Sequence, residues 1–102
     1  MRERRLVWID LEMTGLHPDE GDCIIEIATI VTEADLSIVA EGPVFAITPN
    51  DASKLDSMDE WNTKTHTASG LVDRVRNEGV SVVEAEEGTL NFLKEHLSLI
   101  HI

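Results

Sequence analysis

Apolar residues are patterned differently on the two sides of Pro49. Before it they form short runs of strand length. Leu6, Val7, Trp8 and Ile9 are apolar without alternation, and the run continues through Asp10, Leu11, Glu12 and Met13 to a stop at Thr14-Gly15. A strand apolar on both alternating faces is one covered on both sides, so this pattern predicts a strand in the middle of its sheet. His17 to Asp22 holds Pro18, Gly21 and three acids and reads as a loop. A second strand is predicted over Ile24–Thr32, where β-branched residues dominate. Ala34 to Ser37 makes a turn. A third strand runs from Ile38 towards Ile47 with Gly42-Pro43 inside it, which suits an edge position or a bulge. Three strands joined by such short links predict an antiparallel meander.

After Pro49 the pattern turns polar and helical. MDEWNTKTHTASGLVDRVRNEG predicts two short helices, broken near Ser69-Gly70 and ended by Gly79. Ser81 and Glu84 form an S-x-x-E capping box, and Val82, Ala85, Thr89, Leu93 and Leu97 follow at helical spacing with acids between them. The last residues, LSLIHI, are apolar again with no cap or turn behind them. They read as the opening of a fourth strand cut short, with 98–102 a truncated or non-native tail.

Length and composition narrow this picture. With 102 residues, 42% of them hydrophobic, the chain builds one small domain with a core. Eight basic against twenty acidic residues leave a net charge of −12. That sign argues against holding long nucleic acids or an anionic membrane by general electrostatics. A nuclease whose carboxylates hold divalent cations stays open, because the metals reverse the local field. Cys23 is the single cysteine, so no internal disulfide forms, and a cytoplasmic location follows. MRERR precedes only LVWI before Asp10, too little for a signal peptide, and no run is long enough to span a bilayer.

Candidate chemistry starts with Asp10 and Glu12. Two apart on the first strand, they point to one face where its apolar run ends. Adjacent carboxylates repel unless one takes a proton or a cation sits between them. Hard oxygen ligands on a rigid strand suit Mg²⁺ or Mn²⁺, and phosphodiester cleavage by two metals uses such acids. Glu12 as a solvated residue at a strand end is the plain alternative.

WIDLEMTGL, IIEIATIVT, AEGP and MDEWNTKTHTASGL, in that order and spacing, resemble the first half of bacterial oligoribonucleases, DEDDh exonucleases of the ribonuclease-H-like fold. The resemblance runs from Leu6 to about Leu97. It implies an α/β, ribonuclease-H-like exonuclease fold, N-terminal half only: a three-stranded antiparallel meander plus helices. Residues 1–97 would be the N-terminal part of an exonuclease domain. The family implies cytosolic homodimers that degrade very short RNA oligonucleotides, especially dinucleotides, from the 3′ end with two divalent ions, Mg²⁺ or Mn²⁺. Asp10 and Glu12 match its first two metal-binding, catalytic acids. Leu16 matches a leucine that wedges between the two bases, Trp61 an aromatic that packs against a base, and His66 a histidine near the phosphate. Read without the resemblance, Leu16 is a loop anchor, Trp61 a core or interface residue, and His66 a helix cap. His17, His96 and His101 have no cluster partner and read as solvated.

The pattern also requires a third Asp soon after a Gly-Asn-Ser strand, and an H-x-(4)-D pair whose His is the general base. His96 does not supply that pair, since His101 stands five places on. The expected activity is metal-dependent 3′→5′ exoribonuclease action, with these 102 residues inactive by themselves. A non-catalytic piece with weak metal or partner binding is one alternative. A DNA-proofreading exonuclease of the same superfamily is another, and MDEWNTKTHTASGL argues against it.

Overall fold

A computed structural model describes residues 4–51 and 53–97. In chain order these form β1 (Arg5–Met13), a 3-10 turn (Pro18–Glu20), β2 (Ile24–Glu33), β3 (Ile38–Ala46), α1 (Ser53–Asp56), α2 (Glu60–Ala68), α3 (Leu71–Glu78) and α4 (Val82–His96). The strands make the expected meander, antiparallel in the order β1-β2-β3. The β2–β3 turn is held by Asp35, whose Oδ1 accepts from the Ser37 amide and hydroxyl while Leu36 takes a positive φ.

β2 is the central strand, and Ile25 and Val31 within it are fully buried. On β3 the register steps from Val44 to Glu41 while β2 steps from Ala28 to Ile30, so Gly42-Pro43 is a bulge. The bulge glycine also lets α4 come close: a Cβ on Gly42 would overlap the Phe92 ring and the Thr29 hydroxyl. Gly88 does the same from the helix side, against the Phe45 ring. Ser81 Oγ accepts from the Glu84 amide at 3.1 Å, which is the N-terminal half of the predicted box. α4 buries Ala85, Thr89 and Phe92 and stops at His96, so Leu97 is its extended C-cap.

A second packing centre closes one end of the sheet. Ile25 and Ala46 meet Leu55 of α1 and Leu71 and Val75 of α3, with Cys23 and Met58 against them. Cys23 is therefore packing material here. A parallel bridge between Ile47 and Val80 ties β3's end to the segment before α4.

β1, which its apolar pattern suits to the middle of a complete sheet and which the N-terminal half of the fold leaves at an edge, pairs among the described residues with β2 alone. Its apolar run is exposed in consequence, with Trp8 at 50% and Leu6, Ile9 and Leu11 also open. Hydrophobic pattern records what a strand needs as cover and says nothing of which segment supplies it. His96 was expected to be solvated, but its ring packs on Phe92 with centroids 4.9 Å apart. The expected tail, 98–102, and His101 lie outside the described residues. Among the described residues no helix is long and apolar enough to cross a membrane.

Candidate active-site cleft

Asp10 and Glu12 leave β1 on one face, opposite Ala28 and Glu26 of β2 respectively. At Glu12 the strand reaches a cleft of about 640 Å³, lined by Glu12, Leu16, Asp22, Met58, Trp61 and His66 among others. Asp10 stands two residues back along the same face, outside the cleft wall. A comparable groove of about 610 Å³ runs between the sheet and α4, with apolar walls that include Ile9, Ile27, Ala85 and Leu93. The chemically equipped hollow is the first.

Leu16 is 84% exposed, on the loop that follows β1. That loop is built around the Asp22 carboxylate. Thr14 Oγ1 donates to Asp22 Oδ1 and the His17 amide donates to Oδ2, each at 2.9 Å. The Thr14 hydroxyl accepts from the Cys23 amide at 3.1 Å, and a Cβ on Gly15 would overlap the carboxylate. Wrapped this tightly, the loop turns Leu16 outward.

Trp61 lies in the first turn of α2 and is 69% exposed, so it is not a core residue. Asp59 caps that helix, its Oδ1 accepting from the Asn62 amide at 2.8 Å and Oδ2 from the Asn62 side chain at 3.0 Å. The amide donor, then the side-chain amide, holds the Asp59 carboxyl below the ordinary aspartate value. Leu16 and Trp61 are thus two exposed apolar side chains on separate elements lining one cleft.

His66 is only 3% exposed. Its Nε2 lies 2.8 Å from the Met13 carbonyl oxygen, and since that oxygen only accepts, Nε2 carries the proton. In the neutral ring Nδ1 then offers a lone pair towards Glu12 Oε2, 4.0 Å away and beyond hydrogen-bond length. His66 does not cap α2. It fastens the helix to the end of β1.

Hard carboxylate oxygens on one rigid strand are suitable donors for a divalent cation, and Asp10 and Glu12 fit that requirement in kind. Among the described residues no set of three or more His, Cys, Asp or Glu is placed to hold a metal ion. The RNase T exonuclease family matches over residues 7–99. The chain belongs to this exonuclease family. It is 60% identical over 93 residues to the oligoribonuclease of Klebsiella pneumoniae, covering 91% of this chain and 50% of that protein. The oligoribonucleases of Marinobacter nauticus and Escherichia coli K12 are each 58% identical over 93 residues, with 51% and 50% of their lengths covered. The chain spans about half the length of the curated relatives it matches.

Three residues in or beside the cleft were missed by reading the sequence. Asp22 is one acid among several in a polar loop, and nothing in the string singles it out. Glu26 did leave a signal, as the lone charge within Ile24–Thr32. Arg74 of α3 ion-pairs with the Glu26 carboxylate across forty-eight positions of sequence, which no local pattern reveals.

Proposed function

We propose that this chain supplies the first two catalytic acids and the base-gripping surface of a 3′→5′ exoribonuclease acting on short oligoribonucleotides, dinucleotides above all. Residues 1–97 would be the N-terminal part of its exonuclease domain. The observation that carries this reading is one cleft flanked by the Asp10–Glu12 face and walled by exposed Leu16 and Trp61. A cleft of about 640 Å³ has room for one or two nucleotides. The relatives' oligoribonuclease name favours RNA over the DNA-proofreading alternative.

Asp10 and Glu12 would hold the divalent ions, Mg²⁺ or Mn²⁺. Bound there, such ions activate water and stabilise the leaving oxygen. Leu16 separates the bases, and Trp61 stacks on one, a contact worth about 1–3 kcal/mol per base. His66 holds the Glu12 end of β1 in place, beside the phosphate. Its Nε2 proton is committed to Met13, which leaves Nδ1, beside Glu12, as its one accepting nitrogen. The proton acceptor belongs to the H-x-(4)-D pair of the resemblance. The complete enzyme is read as a cytoplasmic homodimer.

The decisive experiment compares two preparations. The 102-residue chain, given a dinucleotide with Mg²⁺ or Mn²⁺, should show no turnover, because two acids leave the ions under-coordinated and no general base is at hand. Residues 1–97 joined to the second half of the Klebsiella oligoribonuclease should hydrolyse it, and Asp10→Asn should abolish that turnover. A joined protein that folds but stays inactive, or turnover that survives Asp10→Asn, would overturn the proposal.

A further inference from the structure

Glu12 and Glu26 are direct partners in the β1–β2 register. Directly opposed side chains on antiparallel strands have Cβ atoms about 4.5–5.5 Å apart, and like charges there repel. Asp10 is two residues along on the same face, so three acids stand on adjoining strands. Left alone, such a trio would either take up a proton or share a cation as one ligand set. Arg74 changes the arrangement. Its Nη1 reaches from α3 to Glu26 Oε2, and that carboxylate is more sheltered than Glu12's, with side-chain exposures of 19% and 44%. On the other flank Glu12 faces the Nδ1 edge of His66. Glu12 therefore projects towards the cleft while Glu26 is turned to the guanidinium.

We infer that Arg74 is a positioning residue for the divalent-ion site: by holding Glu26 it keeps that carboxylate off the metal face and leaves Asp10 and Glu12 as the acids offered there. The inference rests on the reading that Asp10 and Glu12 hold divalent ions. It adds that the charge of the site is set from α3. A pair that merely straps α3 to the sheet would affect stability and leave ion affinity alone, which makes the two roles separable.

The test is Mn²⁺ binding to the 102-residue chain at low salt, followed by the electron paramagnetic resonance of free ion. Asp10→Asn serves as the reference for binding elsewhere on the acidic surface. Arg74→Met should raise Asp10-dependent affinity about tenfold, because it frees an oxygen donor and a full charge within a few ångströms of the ion. Arg74→Lys, which keeps the charge, should stay near the native value. The charge-neutral pair Arg74→Met with Glu26→Gln should return to within about twofold of native. Circular dichroism reports whether each variant folds. If Arg74→Met does not fold, Glu26→Gln and the double variant carry the test: an affinity lowered about tenfold by the uncompensated Arg74 charge and restored in the double variant supports the inference, whereas an unchanged Glu26→Gln, or a tenfold loss in both, overturns it. A folded Arg74→Met with unchanged affinity also overturns it. Absence of any Asp10-dependent binding in the native chain removes the metal reading itself, and this inference with it.

Discussion

Leu16 owes its exposure to the residues that fold its loop. The Asp22 carboxylate accepts from Thr14 and His17 at once and fills the space beside Gly15. In the joined full-length enzyme, Asp22→Ala should weaken dinucleotide binding about tenfold, the order of two charge-assisted hydrogen bonds traded for loop mobility. Trp61→Ala should cost about 1–3 kcal/mol of the same binding. Fluorescence titration with a labelled dinucleotide reads both, and an unchanged affinity in Trp61→Ala would defeat the stacking role. Acid should act on Asp59 in a defined direction. Its folded-state pKa lies below the ordinary 3.8, chiefly through the Asn62 amide. The stability it contributes is whole above that ordinary value and fades as pH falls through the lower folded value. Protection of the Asn62 amide, taken relative to its intrinsic exchange rate at each pH, should therefore fall below about pH 4, and Asp59→Asn should remove that dependence. Asp35 and Asp51, lowered first by the hydroxyls of Ser37 and Ser53, should follow the same course in their own turns.

Among the elements, legibility tracked how local the cause was. The break near Gly70 was readable because a left-handed residue, φ 82°, separates α2 from α3, and glycine adopts it freely. Ser81 announced α4 through a bond three residues long. Four-residue α1 left no period to read, and its Leu55 is buried only because the distant Ile25 and Leu71 meet it. Gly88 had no local meaning either, since glycine inside a helix costs about 1 kcal/mol. Its purpose lies across the interface, where the Phe45 ring occupies the place of a side chain. Gly88→Val should push α4 off β3 and lower stability by about 1–3 kcal/mol in a urea titration, overpacking outweighing any gain in helix propensity. A variant as stable as the native chain would mean that α4 rides more loosely on the sheet. Phe45→Ala in the Gly88→Val background should restore part of the loss if the collision is the cause.

At the scale of the whole molecule, the meander was legible because each strand pairs with its sequence neighbour. Asp10, Glu12, Leu16 and Trp61 were picked out together by family likeness, and the structure sets all but Asp10 along one cleft. Their supports were not, because Asp22, Glu26 and Arg74 act through contacts only the fold creates. The edge setting of β1 has a physical consequence for the 102-residue polypeptide. Leu6, Trp8, Ile9 and Leu11 are exposed beside a backbone edge with no strand on its outer side among the described residues. Leu6–Ile9 contains no Pro and no Lys, and the strand's one register shift lies beyond it, at Glu12/Met13. Nothing there opposes pairing with a second chain. Repulsion from the net charge of −12 does oppose it, but its range shrinks to about 8 Å at physiological ionic strength. The polypeptide should therefore sediment as a monomer at low salt, and associate and bind hydrophobic dye as sodium chloride is raised, with a broad thermal transition throughout. Trp8→Lys, a charge set on the exposed edge, should delay association to higher salt while leaving the far-ultraviolet dichroism unchanged. A monomer with a sharp, salt-independent melt would show that three strands and four helices are sufficient by themselves and that the edge is inert.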